Sequence, residues 1–194
     1  MQLARKTKRR SSPFSNVRQL LACCFLLIGL ISHAQNRDSQ STINPKDLYA
    51  AFLTKFPHFV EWPQSAERRA RASIRLGIFG EGTFTKRTRD LISTQEVDGR
   101  AFEVIECKSV SDLTNLDILY IGSKEADRIE EIVSTTAGKG ILTIGATQGL
   151  ARRGAMINIT HTAGKTRFEI NLRAVNENRL KISTKLLRTA LIVE

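Results

Sequence analysis

The chain has 194 residues, with 30 Lys and Arg against 19 Asp and Glu, for a formal net charge of +11. That charge does not mark a nucleic-acid binder, because no basic run is interleaved with aromatic residues. Internal repeats and low-complexity segments are also absent, which leaves a globular reading.

Residues 1–34 read as an export signal. Arg5, Lys6, Lys8, Arg9, Arg10 and Arg18 supply positive charge, and no acidic residue occurs before Asp38. The apolar stretch from Leu20 to Ile31 falls short of the roughly 20 residues a membrane-spanning helix needs. Ser32-His33-Ala34 then offers small residues at the positions a signal peptidase reads, with cleavage before Gln35. The lipoprotein-like Leu20-Leu21-Ala22-Cys23 sits at the wrong end of the apolar run, and Arg9-Arg10 is followed by Ser-Ser-Pro rather than an apolar residue. General secretion fits best. The remaining chain carries 24 basic and 19 acidic residues, a charge of +5 that favours solubility and an acidic partner surface. Cys23 and Cys24 leave with the signal, so Cys107 stands alone and no intramolecular disulfide can form.

Residues 35–44 are polar and read as a flexible leader to one domain over 45–194. Asn44 and Pro45 predict a helix start, with Leu48, Ala51, Phe52 and Phe56 on one face. Pro57 should end or kink that helix, because an internal proline costs about 3 kcal/mol. Strands follow over Ser73–Phe79 and Ala101–Cys107, with a helix over 83–93 between them. A buried strand at Asp117–Ile121 precedes a helix over 124–135, whose Ala126, Ile129, Ile132 and Val133 form one apolar stripe. Another buried strand covers Ile141–Ile144. The last third predicts a hairpin, 155–160 and 166–172, and two closing helices over 173–178 and 183–192. The expected fold is α/β in three layers: a mostly parallel sheet, helices on both faces and a C-terminal antiparallel hairpin.

Catalytic signatures are missing. Gly77, Gly80 and Gly82 follow a strand, but their order does not match a dinucleotide fingerprint and no Walker lysine follows. The Gly80-Glu81-Gly82 turn is the candidate ligand-pocket loop, since open α/β sheets bind ligands at such strand ends. His58 and His161 have no second ligand at metal spacing, so no metal and no cofactor is expected. The sequence contains no serine-hydrolase elbow. Arg68, Arg69 and Arg71 read as a solvated charge run. Trp62 reads as a core anchor rather than a ligand-stacking ring.

Several motifs together carry a resemblance. Leu48 to Phe56, Glu61-Trp62-Pro63, Gly154, Met156-Ile157-Asn158, Arg167-Phe168-Glu169-Ile170-Asn171 and Ser183 with Lys185-Leu186-Leu187 resemble the YfiR/HmsC-like periplasmic family. The resemblance implies a periplasmic, non-enzymatic repressor. Such a protein binds the periplasmic domain of an inner-membrane diguanylate cyclase and holds down cyclic-di-GMP and biofilm formation. It also implies a tendency to form homodimers, and motif residues that determine the fold rather than catalyse. Where the family often has a redox-sensitive cysteine pair, this chain has Gly77 and Leu116. Where the family commonly has Gly-Gly-Met-Ile-Asn, it has Gly154-Ala155. Two alternatives accompany the repressor reading. One is a small-molecule or envelope-signal sensor beside a histidine kinase or outer-membrane transporter, and the other is an envelope hydrolase using Cys107.

Overall fold

A computed structural model describes residues 45–194, apart from 64, 66, 67, 69, 81–83 and 163–164. The export segment, the leader, and Glu81 and Gly82 of the glycine turn lie outside the described residues.

Helix α1 runs Pro45–Lys55, with Pro45 in its first turn and Asp47 complementing the helix dipole. Pro57 acts as expected: the α-helix stops and a 3-10 turn, Phe56–Phe59, takes over. The buried face of α1 differs from the expected one. Ala50 and Leu53 are buried and Ala51 is exposed, because Tyr49, Phe52 and Phe56 turn toward aromatic partners on the sheet. Strand β1, Val60–Glu61, leaves the turn, and β2, Ser73–Phe79, enters the main sheet. Helix α2, Lys86–Ser93, is capped by the Thr85 side chain, which accepts from the Thr88 N–H. Strands β3, Glu96–Val97, and β4, Arg100–Cys107, meet at Asp98-Gly99, both with positive φ, as a tight hairpin turn demands.

Strand β5 covers Ile118–Ile121. The next helix begins as a 3-10 segment over Ser123–Arg128, with Gly122 rather than Ser123 at its cap, and continues as α3, Ile129–Thr136. The predicted stripe is observed: Ala126, Ile129 and Ile132 are buried in one cluster, with Val133 packed against it. Strands β6, Leu142–Gly145, β7, Ile157–Thr162, and β8, Lys165–Asn171, follow. Helix α4, Leu172–Glu177, takes its cap from the Asn171 side chain, which accepts from the Ala174 N–H.

The C-terminus departs from the sequence reading. In place of one helix over 183–192 there are β9, Lys181–Ile182, a single turn α5, Thr184–Leu187, and β10, Ala190–Val193. Of Leu186, Leu187, Ala190 and Leu191, which would share the inward face of such a helix, Leu186 alone is buried, and Leu191 is 57% exposed. The run of Ile192 and Val193 favours extended backbone, and β8 offers an edge for β10 to pair with.

The main sheet has the order β10-β8-β7-β6-β5-β2-β4-β3. Strands β7, β6, β5, β2 and β4 are parallel, and β8 and β10 run against them. Side-chain alternation splits the core into two layers. Ile74, Leu76, Ile118, Tyr120, Leu142, Ile144, Ile157 and Ile170 face α1, α4 and α5. Phe79, Leu119 and Ile121 face α3. Helices cover both faces, as expected, and the C-terminal hairpin adds its antiparallel edge. Strands β1 and β9 pair separately, Val60 with Ile182 and Glu61 with Lys181.

Gly77 and Leu116 lie in direct contact. A Cβ on Gly77 would sit 2.5 Å from Leu116 Cδ1 and 3.1 Å from Cys107 Sγ. The leucine fills the space above the glycine, so the site is packed with hydrocarbon.

Candidate functional site

The most strongly constructed site lies at the N-terminal ends of β2 and β5. Asp117 opens β5 and is 3% exposed. A carboxylate there costs several kcal/mol unless it is paired and hydrogen-bonded, and this one is both. Its Oδ1 accepts from Arg68 Nε at 2.7 Å and lies 3.5 Å from Arg71 Nη1. Its Oδ2 accepts from the backbone N–H of Arg75 at 2.9 Å. The Asp117 carbonyl accepts from Trp62 Nε1 at 3.3 Å and from the Leu142 N–H at 2.9 Å. Arg68 continues across to the Gly140 carbonyl at 3.2 Å. Gly140, at φ 65°, is needed here, since a Cβ would stand 3.0 Å from Pro63 and 3.3 Å from the Arg68 guanidinium. Through its carboxylate and its carbonyl, Asp117 thus ties β2, β5, β6 and the segment after Trp62 together.

The reading of Arg68 and Arg71 as a solvated run is therefore corrected. Both reach a buried counter-charge that the sequence run Asp117-Ile-Leu-Tyr-Ile concealed. Arg69 lies outside the described residues.

Above this cluster opens a cleft of about 730 Å³. Trp62, Pro63, Val60, Ile74 and Val97 give it an apolar wall, while Arg100, Arg179 and Lys181 stand around it with Glu61 and Asp98. Lys181 lies 3.9 Å from Glu61 across β1 and β9. Arg100 and Arg179 make no ion pair among the described residues. Trp62 is half-buried: one part of the indole packs against the core and the other lines the cleft. The sequence reading of Trp62 as a core anchor captured only the first role.

The remaining motif residues lie between Gly154 and Leu187. Met156 is buried and donates its N–H to Thr143 Oγ1 at 3.0 Å. Asn158 is fully buried, and its Nδ2 donates to Glu169 Oε2 at 2.9 Å across the hairpin. Asn171 donates to the Ala151 carbonyl at 2.8 Å and caps α4. Phe168 packs edge-to-face with Phe52 and Phe56, with ring centroids at 4.8 and 5.3 Å. Arg167 is exposed, and Glu169 pairs with Asn158 rather than with it. Gly154, at φ 112°, closes the turn before Ala155, which is itself fully buried. Ser183 accepts from the N–H groups of Leu186 and Leu187 through its carbonyl; Lys185 is exposed and Leu186 enters the core.

Of the glycine turn, Gly80 lines a separate depression of about 490 Å³ with Phe79, Glu106, Cys107, Lys108 and Glu125. Cys107 is buried, and burial, aided by the Asp112 carboxylate, pushes its thiol up to about 11. Its Sγ donates to the Ile105 carbonyl at 3.9 Å. His161 stands on β7, four strand positions from β4, or about 19 Å at the usual strand spacing. His58 is exposed on the turn after α1, on the sheet face opposite Cys107. The structure brings neither histidine to the thiol. No cluster of metal-ligating residues occurs among the described residues, and no described helix is long and apolar enough to cross a membrane.

Two solved structures share the fold. One is the ABC domain in complex with L-Trp from Streptococcus pneumonia, at TM-score 0.53 and 10% identity, covering 77% of this chain. The other is a conserved domain protein from Vibrio cholerae O1 biovar eltor, at TM-score 0.51 and 12% identity, also over 77% of this chain. This chain spans 62% and 60% of their respective lengths, and identities this low speak for fold alone. No protein of curated function matches the sequence significantly. The family described as YfiR/HmsC-like matches residues 46–191, from the first turn of α1 into β10.

Proposed function

The chain belongs to the YfiR/HmsC-like family of periplasmic regulators of the diguanylate cyclase system, and from that membership we propose that it represses a membrane-bound diguanylate cyclase by binding the cyclase's periplasmic domain. The observation that carries this reading is the extent of the family match, which runs from the first helix into the last strand of the main sheet. Export by cleavage before Gln35 belongs to the same proposal. So does a role in biofilm control, through the cyclic-di-GMP that the cyclase makes.

The mechanism is linkage. A repressor that binds the inactive receptor better than the active one shifts the population toward the inactive state. Moving a receptor from 99% active to 99% inactive takes a differential affinity of about 5.5 kcal/mol. Nothing in that mechanism requires chemistry from this chain, consistent with a site built from fold-determining side chains.

The direct test is titration of the exported, purified protein into the purified periplasmic domains of the cell's membrane cyclases by calorimetry. Saturable one-to-one binding to one domain supports the proposal. Absence of binding to all of them contradicts it.

A second reading has its own observation. The Trp62 cleft, which Arg100 and Arg179 line without an ion pair among the described residues, suits a small organic anion, and such an effector would relieve or reinforce repression. This moves the sensor alternative from the glycine turn to the opposite end of the strands. Thermal stabilisation by anionic aromatic metabolites, lost in Arg179→Glu, supports it. Equal stabilisation of both proteins contradicts it.

A further inference from the structure

Helices α1 and α2 pack on the same face of the sheet and leave a groove of about 250 Å³ between them. Its floor is built from buried residues of both helices, Ala50 and Thr54 from α1, Thr88 and Ile92 from α2. The two floor hydroxyls are already bonded, Thr54 to the Ala51 carbonyl at 3.0 Å and Thr88 to the Asp47 carboxylate at 3.1 Å. The floor therefore presents mostly hydrocarbon. Ala51 and Leu91 form exposed walls, Leu91 at 50%. A single exposed leucine is ordinary, but this one borders an apolar depression.

We propose that this groove docks an acidic, amphipathic helix of the cyclase's periplasmic domain. The inference rests on the regulatory reading and adds to it the face and the chemistry of recognition. Size argues against a metabolite, because small-molecule pockets run to roughly 300–1,000 Å³; this groove admits apolar side chains instead. Two helices offer no strand edge for main-chain pairing, so an apolar helix face laid between them is the recognition mode that remains. Helix α2 has eight residues, about 12 Å or two turns, enough for anchors one turn apart on the incoming helix.

Charge selects the partner's sign. Lys55 lines the groove, and Arg87 stands one turn before Leu91 on α2. Neither has an ion-pair partner among the described residues, whereas Lys86 is already paired with Asp90 at 2.7 Å. Asp47, the acid on the lining, is engaged by Thr88. Unengaged cations beside an apolar anchor favour acidic residues flanking the incoming one and repel basic ones.

The test is calorimetric titration of the exported, purified protein into the purified periplasmic domains of the cell's membrane cyclases, repeated with three variants. Leu91→Asp should weaken binding about tenfold or more. Lys55→Glu with Arg87→Glu should weaken it too and flatten its dependence on salt; both side chains are exposed, so this pair keeps the test open if Leu91→Asp lowers the melting temperature. Leu191→Asp puts the same charge on a comparably exposed leucine of β10 and should bind as the parent does. Groove variants that bind as tightly as the parent, or a Leu191→Asp protein that loses as much, overturn the proposal and leave the regulatory reading standing. A parent that binds none of the domains overturns both. A parent dimer in sedimentation that Leu91→Asp dissolves gives the groove to a second copy and overturns the proposal as well.

Discussion

Asp117 is the residue on which most of the local architecture depends. It neutralises Arg68, accepts from the Arg75 backbone and fixes the Trp62 indole through its carbonyl. Asp117→Asn keeps the shape but leaves two guanidinium groups facing a neutral amide. Breaking a buried pair on one side costs about 3–5 kcal/mol; residual exposure of the arginines places the expected loss near the lower figure. Urea denaturation would read it as a lower midpoint at unchanged slope, and a loss under about 1 kcal/mol would mean the pair behaves as a surface one. This cluster was illegible in the sequence because its parts were read separately, the arginines as solvated and the aspartate as the start of an apolar strand. The usable signal was a charged residue opening a strand covered on both faces, which demands a counter-ion. Cys107, the last residue of β4, is packed as a small hydrophobe. Its thiol, raised from 9.0 to about 11 by burial and by Asp112, gives a signed pH prediction. Below pH 9 both folded and unfolded chains keep the proton, and stability is unaffected. Between pH 9 and 11 the unfolded chain loses it first, so stability falls as pH rises. The fall attributable to this group is at most about 2 kcal/mol, and Cys107→Ala should decline less steeply than the parent over that window. Parallel curves for the two proteins would show that the thiol is not held neutral.

At the scale of elements, the parallel strands were the most legible feature. Runs such as Ile118–Ile121 and Leu142–Ile144 are too apolar to sit anywhere except between two covered faces. The C-terminal segment was not legible. Leu186, Leu187, Ala190 and Leu191 fall at helical spacing, yet residues 190–193 extend, because a free edge of β8 is available and only tertiary pairing decides such a short run. The first helix was legible in position but not in facing, since its aromatic residues follow Phe168, an element more than a hundred residues away. That contact supplies a prediction. Phe56 is 2% exposed, stacks on Phe52 and packs edge-to-face with Phe168. Phe56→Ala removes the joint between α1 and the hairpin and should cost about 3–5 kcal/mol, seen as a large fall in melting temperature. A loss under about 1 kcal/mol would show that α1 docks independently of the ring cluster.

At the scale of the whole molecule, one parallel sheet with an antiparallel C-terminal border carries two distinct surfaces. The Trp62 cleft lies at one end of the strands, and the groove between α1 and α2 lies on one face. The chain belongs to the YfiR/HmsC-like family, and under the proposed repression the moderate charge of residues 35–194 suits docking on an acidic partner surface. The sequence carried this assignment through its motif set, not through any chemistry of single residues. Of those motif residues Met156, Asn158, Asn171 and Leu186 are buried, and Arg167 and Lys185 are exposed. The partner, by contrast, left no mark that residue chemistry could reveal.

The central claim, repression from the periplasm, is tested most directly by cellular cyclic-di-GMP. The gene is deleted, then restored either whole or without residues 1–34. The account predicts a rise on deletion that the whole chain reverses and the truncated chain does not. An unchanged level on deletion, or equal rescue by both forms, would contradict it.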